Sequence, residues 1–304
     1  MARLLITGGS GFIGGHLACL AQVGSEVHSI YNSRRGSLRG VNWHQVDLTD
    51  GVAVGRLFSD VKPDAVIHSA AISGIDYCQQ NQEEAWACNV TATENVAAAC
   101  AEHTAKLVHV STDTVFDGDR GWYSEDDDPM PINFYGETKL AAEDAVFAKS
   151  HDSAVARICI VYGLPLTSNA VSSISEFVDR LDSGEGIWLL SDEIRTPIDV
   201  LTLCDALLEI AFGDHGGVFH LGGADRVSRV EMGMKVVEYL GADPKLVTVK
   251  GGMSGSGDRA PRPVDISLKT DKAASLLNTQ MLPLEQGFKR VWPGLYDYRR
   301  RRDS

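Results

Sequence analysis

The chain has 304 residues, of which 44% are hydrophobic and 23% are charged, and its formal net charge is −13. This length fits one large domain or two closely joined domains. No apolar run approaches the ~20 residues that span a bilayer, and the negative charge argues against a nucleic-acid-binding protein, so we expect neither a membrane nor a nucleic acid as partner.

The cysteines and histidines show no metal-ligand spacing. Six cysteines are scattered without a Cys-x-x-Cys pair, and nine histidines include no His-x-x-x-His pair. We therefore expect free thiols and no metal site. The chain opens on a strand-like run instead of a basic and then apolar leader, which leads us to expect a cytoplasmic protein.

The first fifteen residues, MARLLITGGSGFIGG, predict a strand, a tight turn and the start of a helix. Glycines in such a turn allow positive φ and let a ligand approach the backbone, while the free N–H groups of the following helix attract a phosphate. The spacing Gly-x-x-Gly-x-x-Gly differs by one residue from the commoner dinucleotide fingerprint. The predicted contacts are Gly8, Ser10, Gly11, Phe12, Ile13 and Gly14.

The end of the second predicted strand, residues 26–31, indicates which dinucleotide is bound. An acidic residue there accepts a hydrogen bond from the ribose 2′-hydroxyl, whereas basic residues bind a 2′-phosphate. The sequence continues as Asn32, Ser33, Arg34 and Arg35, without a carboxylate. We predict NADP(H) in preference to NAD(H), bound by these last three residues; an exposed loop is the alternative.

Strands predicted at 42–46, 65–68 and 106–110 are separated by helical stretches, which is typical of a parallel sheet with right-handed crossovers. Ligands bind at the carboxyl ends of such strands. Asn89 interrupts the alanine-rich helical stretch 82–103, where asparagine is unfavourable, and we give it a local task in cofactor binding. The further predicted cofactor contacts are Asp47, Leu48, Ser69, Ala70, Ala71 and Asn89.

Tyr135 and Lys139 are the predicted centre of the chemistry, because residues four apart share one face of a helix. A phenol has a pKa near 10, and a neighbouring ammonium stabilises the phenolate. Thr112, at the end of the fifth strand, can hold a substrate carbonyl beside them. Tyr-x-x-x-Lys is common on surface helices, so the prediction of Thr112, Tyr135 and Lys139 as catalytic depends on their place after this strand.

The motifs resemble the extended subclass of the short-chain dehydrogenase/reductase superfamily. Residues 110–118, 131–139 and 262–272 narrow the resemblance to the dTDP-4-dehydrorhamnose reductase-like family, because the last stretch is similar to its Arg-Pro-x-x-Ser-x-Leu. The resemblance implies an NADPH-dependent reductase of a nucleotide-linked 4-ketosugar in dTDP-rhamnose biosynthesis. Tyr135 would donate the proton, NADPH the hydride, and Lys139 would bind the nicotinamide ribose and lower the pKa of Tyr135.

The same resemblance places the nucleotide-sugar contacts in the C-terminal part of the chain. Arg195 and Arg262 match positions that often hold a diphosphate, for which the arginine fork is suited; a structural ion pair is the alternative for each. Thr112 and Asp113 are the further predicted substrate contacts. Residues 72–77 follow the family's substrate-side loop only loosely.

The predicted fold class is α/β, with a Rossmann-type doubly wound parallel sheet and a smaller C-terminal α/β substrate lobe. We assign residues 1–165 plus about 195–222 to an NADP(H)-binding Rossmann domain. Residues of about 166–194 plus 223–304 form the predicted substrate-binding lobe. Proteins of the extended subclass are often dimeric, so the resemblance also allows a homodimer.

Two alternatives stay open. One is an NAD(P)-dependent sugar-nucleotide epimerase or dehydratase, although Thr114 stands where dehydratases of the subclass usually have glutamate, and Arg34 and Arg35 disfavour an NAD-retaining epimerase. The other is a non-catalytic NADP-binding regulatory subunit, since relatives of these reductases are partners of methionine adenosyltransferase.

Overall fold

The structure is a computed structural model that describes residues 1–167, 170–251 and 259–302. Its strands are β1 (Ala2–Thr7), β2 (Ser25–Tyr31), β3 (Asn42–Gln45), β4 (Ala65–His68), β5 (Lys106–Thr112), β6 (Ala154–Ile158), β7 (Val161–Tyr162), β8 (Ile187–Leu190), β9 (Ile194–Arg195), β10 (Ile198–Asp199), β11 (Gly217–Leu221), β12 (Val227–Ser228) and β13 (Val247–Lys250). Its α-helices are α1 (Phe12–Ala21), α2 (Gly51–Val61), α3 (Ile75–Gln80), α4 (Gln82–Trp86), α5 (Ala92–His103), α6 (Phe134–Lys149), α7 (Ser173–Asp182), α8 (Val200–Phe212), α9 (Arg229–Leu240), α10 (Asp271–Leu276), α11 (Leu284–Val291) and α12 (Leu295–Arg302).

Seven of these strands form one sheet in the order β3-β2-β1-β4-β5-β6-β11. All neighbouring strands in it are parallel. After β3 the chain crosses back over β1 to add β4 on the other side, so the strand order reverses between β1 and β4. A crevice opens at the carboxyl ends of the strands at such a reversal. The predicted Rossmann-type sheet is therefore confirmed.

The sheet is covered by helices on both faces, as its residue pattern requires. Leu4 and Ile6 of β1 pack into one apolar cluster, which includes residues of α1 and α8. Leu5, between them, packs into the opposite cluster with residues of α2 and α5. Alternate side chains of a strand point to opposite faces, so a strand buried on both faces is apolar throughout.

The C-terminal part adds short strand pairs and their helices. Strand β8 pairs with β13, and β9 pairs with β12. The buried side chains of α7 and α9, such as Val178 and Val236, belong to the same continuous apolar cluster as Leu4. The proposed division into a Rossmann domain and a lobe stays a prediction, because the apolar core runs without a break between them.

Two predicted elements differ from the observed ones. The apolar run 154–161 predicts a single strand, but β6 ends at Ile158, and β7 pairs with β10 in a separate small sheet. The long helix predicted over 82–103 contains a π-turn, Ala87–Thr91. No described helix has both the length and the apolar character needed to cross a membrane.

Candidate active site

The glycine turn between β1 and α1 has the conformation that a close ligand needs. Gly8 has a φ of +68°, and a Cβ there would lie 2.9 Å from the Ala70 nitrogen. A Cβ on Gly14 would lie 2.3 Å from the Gly8 oxygen. Gly11 is the N-cap of α1 and provides no side-chain cap. The first-turn N–H groups of this helix therefore remain available to an anion.

A cavity of about 400 Å³ lies beside this turn, at the carboxyl ends of β1, β2 and β4; we call it the turn cavity. Arg34 is in its wall, whereas Arg35 is exposed and is not among the lining residues. The other predicted cofactor residues in the wall are Gly8, Ser10, Gly11, Ser33, Asp47, Leu48, Ser69, Ala70 and Ala71.

A second cavity, of about 310 Å³, continues the first toward β5 and α6; we call it the tyrosine cavity. Four residues belong to both walls: Gly8, Gly11, Ser69 and Ala71. The tyrosine cavity adds Phe12, Ile13, Gly14, Ser111, Tyr135 and Lys139. The two cavities together form one cleft across the carboxyl edge of the sheet, and it joins the predicted cofactor residues to the predicted catalytic pair.

Helix α6 places Tyr135 in this cleft through its N-terminal cap. The Asn133 side chain accepts a hydrogen bond from the Gly136 N–H at 2.9 Å and donates one to the Pro261 carbonyl at 3.1 Å. A Cβ on Gly136 would lie 2.5 Å from the Thr114 oxygen, so the start of the helix packs directly against the end of β5. The tyrosine is in the first turn of a capped helix and is half-buried.

The pKa of Tyr135 is raised above its ordinary value, chiefly because burial disfavours the phenolate, while a hydrogen bond with Thr112 acts in the opposite direction. Lys139 is not among the groups that shift it. The lowering of this pKa by Lys139, which the family resemblance implies, stays a prediction. A tyrosine with a raised pKa is protonated at neutral pH and can donate a proton.

Lys139 directs its ammonium group to β5. Its Nζ donates to the Val110 carbonyl at 2.8 Å and lies 3.0 Å from Nε2 of His109. Only 2% of the residue is exposed. Burial lowers the pKa of Lys139 to about 8, and the charge of Glu143 opposes this shift.

Thr112 and Asp113 lie where β5 ends. The Thr112 hydroxyl is 3.2 Å from Oδ1 of Asp113 and 3.1 Å from the Thr114 hydroxyl. Oδ2 of Asp113 is buried without a hydrogen-bond partner. Burial raises the pKa of this carboxyl group, and Arg195 opposes the shift. The Oδ2 oxygen lies 4.0 Å from Nε of Arg195, beside the predicted catalytic threonine.

A third cavity, of about 690 Å³, lies between the end of β5 and the C-terminal part; we call it the lobe cavity. Asp113 and Thr114 form its inner wall, and Ile75, of the predicted substrate-side loop, is also in the wall. Its arginines are Arg180, Arg195, Arg229, Arg259 and Arg262. A cavity lined by several arginines is suited to a ligand with more than one negative charge.

The two arginines predicted to hold a diphosphate line the lobe cavity but are engaged by other groups. Arg195 donates to three backbone carbonyls and lies 4.0 Å from Asp113. Arg262 forms a bidentate pair with Asp76 at 2.9 and 2.8 Å. In this ligand-free structure both guanidinium groups bind other parts of the polypeptide, and their role in holding a diphosphate stays a prediction.

Sequence reasoning missed three arginines and a tryptophan in the same wall: Arg180, Arg229, Arg259 and Trp188. Nη1 of Arg259 is buried without a hydrogen-bond partner, and its guanidinium carbon lies 5.9 Å from the ring centre of Trp188. Burial lowers the pKa of Arg229, and Glu193 opposes this shift. These positions carry no motif, and only folding brings them together. The sequence offered one signal, a tryptophan at 188 within the apolar run 187–190.

Asn89 lies behind the cleft and lines neither of its two cavities. Its Oδ1 accepts from the Ile72 N–H at 2.8 Å, and its Nδ2 donates to the Ile72 carbonyl and the Thr138 hydroxyl, both at 3.0 Å. It is fully buried in the π-turn. Its local task in the structure is to join the loop after β4 to α6. Among the described residues, no group of three His, Cys, Asp or Glu side chains is placed to hold a metal.

Curated relatives cover almost the whole chain. The probable low-salt glycan biosynthesis reductase Agl14 of Haloferax volcanii is 31% identical over 96% of this chain and 98% of its own length. The dTDP-4-dehydrorhamnose reductase of Mycobacterium tuberculosis is 36% identical over 81% of this chain and 78% of its own length. Methionine adenosyltransferase 2 subunit beta of Mus musculus is 29% identical over 98% of this chain and 89% of its own length.

Solved structures agree with the fold. A dTDP-4-dehydrorhamnose reductase of Bacillus anthracis in complex with NADP superposes with a TM-score of 0.82, at 25% identity, covering 96% of this chain and 99% of that one. MoeE5 in complex with UDP-glucuronic acid and NAD gives 0.83 at 25% identity, covering 99% of each chain. The model of the RmlD substrate binding domain matches residues 2–295. The chain therefore belongs to the RmlD substrate binding domain family, which includes dTDP-4-dehydrorhamnose reductases.

Proposed function

We propose that this protein is an NADPH-dependent reductase of a nucleotide-linked 4-ketosugar, similar to the dTDP-4-dehydrorhamnose reductases. The observation that carries the proposal is the position of Thr112 and Tyr135. The phenol lines the cleft beside the glycine turn, and Asp113, next to Thr112, lines the lobe cavity. A substrate carbonyl group bound where the cleft and the lobe cavity adjoin would lie next to a dinucleotide in the cleft, and the rest of the nucleotide sugar would lie in the lobe cavity.

The cleft fits a dinucleotide phosphate on three grounds. The backbone at Gly8 and Gly14 has no space for a Cβ, the N-terminus of α1 has no side-chain cap, and Arg34 lines the cavity at the end of β2. We assign the 2′-phosphate to Ser33 and Arg34. One solved relative is a complex with NADP and another is a complex with NAD, so the proposed preference for NADP(H) depends on these side chains.

When bound, NADPH supplies a hydride to the carbonyl carbon. The chain supplies the rest: the Thr112 hydroxyl orients the carbonyl, and the Tyr135 phenol transfers its proton to the carbonyl oxygen as the oxygen gains charge. The resulting phenolate then recovers a proton from solvent. Lys139 holds a positive charge at the base of the tyrosine cavity, where it stabilises the phenolate while it lasts.

The proposal is tested by mixing the purified chain with NADPH and dTDP-4-dehydro-L-rhamnose and following the nicotinamide absorbance near 340 nm. We expect the absorbance to fall only when both are present. NADPH binding without oxidation, with this and with other nucleotide-linked 4-ketosugars, would contradict it.

A second candidate is supported by the match over almost the full chain to methionine adenosyltransferase 2 subunit beta. In this role the chain binds NADP and a partner protein without turnover. A pull-down with a methionine adenosyltransferase catalytic subunit distinguishes the binding subunit from the reductase, because only the binding subunit requires a stable complex with that protein. A retained NAD⁺ after purification would instead favour the epimerase or dehydratase alternative.

A further inference from the structure

Two buried imidazoles lie beside Lys139, and neither takes a direct part in the proposed reaction. His109 of β5 and His68 of β4 are both fully buried, with ring centres 5.2 Å apart. Both ring nitrogens of His68 have hydrogen-bond partners: its Nδ1 lies 2.7 Å from the Thr7 hydroxyl and its Nε2 lies 2.9 Å from the Thr93 hydroxyl. His109 differs, because its Nε2 lies 3.0 Å from Nζ of Lys139 and its Nδ1 has no partner.

The contact with Lys139 sets the tautomer of His109. An ammonium group has three donors and no acceptor, so the imidazole nitrogen that faces it must carry a lone pair. The proton of a neutral His109 is then on Nδ1. A charged His109 would place two cations 3.0 Å apart in a buried site, and both burial and the charge of Lys139 lower the pKa of His109 well below its ordinary value.

We propose that His109 is a positioning residue for Lys139: its neutral imidazole accepts one hydrogen bond from the ammonium through Nε2, the Val110 carbonyl accepts a second, and the third N–H is left for the tyrosine cavity. The observations that carry this are the two distances, of 3.0 and 2.8 Å, and the presence of Lys139 in the wall of that cavity. The inference rests on the proposed function only where it concerns turnover.

The choice of an imidazole has a chemical consequence. A carboxylate in its place would neutralise the ammonium, whereas His109 and the Val110 carbonyl hold it without cancelling its charge. The positive charge therefore remains available to a phenolate on Tyr135. The titratable groups around Lys139 are His109 on β5, His68 on β4 and Glu143 on α6, the last paired with Arg157 of β6. Of these, Glu143 raises the pKa of Lys139 against the effect of burial.

The first arm of the test needs no substrate. In ¹⁵N-labelled protein without cofactor, long-range ¹H–¹⁵N spectra report the protonation of each imidazole nitrogen, and the signals lost in His109→Gln belong to His109. We expect a proton on Nδ1, none on Nε2, and no change between pH 5.5 and 7, where Lys139 is charged. A proton on Nε2, or a ring that becomes charged in this range, overturns the proposal whether or not the protein is a reductase.

The second arm measures kcat against pH for His109→Gln and His109→Leu. The Gln side chain keeps an acceptor for Lys139, and the Leu side chain removes it. Since losing a hydrogen bond to a charged group disfavours the ammonium, we expect the alkaline loss of activity in His109→Leu to move down by about one pH unit. His109→Gln should keep the wild-type profile.

His220→Leu is the matched control, because His220 is another fully buried histidine but lies on β11, where its Nδ1 is 3.1 Å from the Tyr123 carbonyl. It should lower the melting temperature and leave the pH profile in place. Equal profiles for His109→Leu and His220→Leu, in folded proteins that bind NADPH, would overturn the positioning role. If His109→Leu does not fold, the spectra of the wild-type protein decide the question alone.

Discussion

At Tyr135 the balance of effects favours a proton donor over a base. Burial raises the pKa of the phenol, and the hydrogen bond with Thr112 reduces that effect without removing it. Lys139, one helical turn away, directs its ammonium to β5. In the absence of ligands the residue is thus a neutral phenol in a sparsely solvated cleft, which is the protonation state needed to complete the reduction of a ketone.

The proposed preference for NADPH depends on single side chains after β2. Arg34 lines the turn cavity, so Arg34→Ala removes a charge-assisted contact with a 2′-phosphate and should raise the KM for NADPH about 10- to 100-fold, with little change in the KM for NADH. Initial rates with the two cofactors measure this. Arg35→Ala is the control, because Arg35 does not line the cavity; an equal effect of both variants would contradict the assignment.

The substrate diphosphate should depend on two of the arginines that sequence reasoning missed. Arg229 and Arg259 line the lobe cavity, and Nη1 of Arg259 is buried without a hydrogen-bond partner. We expect Arg229→Ala and Arg259→Ala each to raise the KM for the nucleotide sugar about tenfold or more. The KM for NADPH should not change. Arg290→Ala is the control, because it removes an ion pair with Asp205 outside this cavity, and it should leave both KM values unchanged. If Arg229→Ala and Arg259→Ala keep the wild-type KM for the nucleotide sugar, the assignment is contradicted.

Helix α6 connects the fold to the chemistry, and its cap offers a direct test. Asn133→Ala should lower the free energy of unfolding by about 1 kcal/mol and should also lower kcat, because Tyr135 lies two residues after the cap. Denaturant titration and initial rates measure the two effects.

A control of the same kind exists at α2, where Asp50 accepts from the N–H groups of Val52 and Ala53. Asp50→Ala should have a similar effect on stability and none on kcat, since the turn that it caps lines neither the tyrosine cavity nor the lobe cavity. A loss of kcat in both variants would indicate that stability alone controls the rate.

The elements nearest to the glycine turn could be predicted from the sequence because local pattern determines them. Apolar runs, the spacing of glycines and the helical face shared by Tyr135 and Lys139 are all short-range signals. The lobe cavity could not be predicted in the same way. Arg195 and Arg262 fit a motif, yet whether their guanidinium groups are free depends on carbonyls and on Asp76, which are remote in sequence.

The same limit applies to Asn89. An asparagine in a helical stretch indicates a local task, but the pattern does not tell a ligand contact from an internal one. In the folded chain the π-turn supplies the extra residue that lets Asn89 reach Ile72 and Thr138. Inserted turns of this kind often occur beside functional sites, and here the insertion orders the loop that borders the cleft.

For the molecule as a whole, buried neutral imidazoles predict a loss of stability in mild acid. Burial lowers the pKa of His68 and of His220 to about 3, whereas an unfolded histidine titrates near 6.5. Below pH 6.5 the unfolded chain takes up protons that the native chain does not, so stability falls as the pH falls. At pH 5 each of the two contributes a loss of about 2 kcal/mol.

Urea denaturation at pH 7, 6 and 5 measures this loss. His220→Gln is the comparison variant. Its free energy of unfolding should depend less steeply on pH than that of the wild type, because unfolding of the variant takes up about one proton fewer. A free energy of unfolding that is constant over this range contradicts the neutral state of these histidines in the folded protein.

The relatives include both reductases and a methionine adenosyltransferase subunit, and turnover that depends on Tyr135 distinguishes a reductase from a binding subunit. The most direct measurement compares NADPH oxidation by the wild type and by Tyr135→Phe, at saturating NADPH and dTDP-4-dehydro-L-rhamnose, with the NADPH dissociation constant measured for each. We predict turnover by the wild type, a fall in kcat of about 100-fold or more in the variant, and equal NADPH binding. Equal rates for the two proteins, or NADPH binding without oxidation in the wild type, would contradict the account.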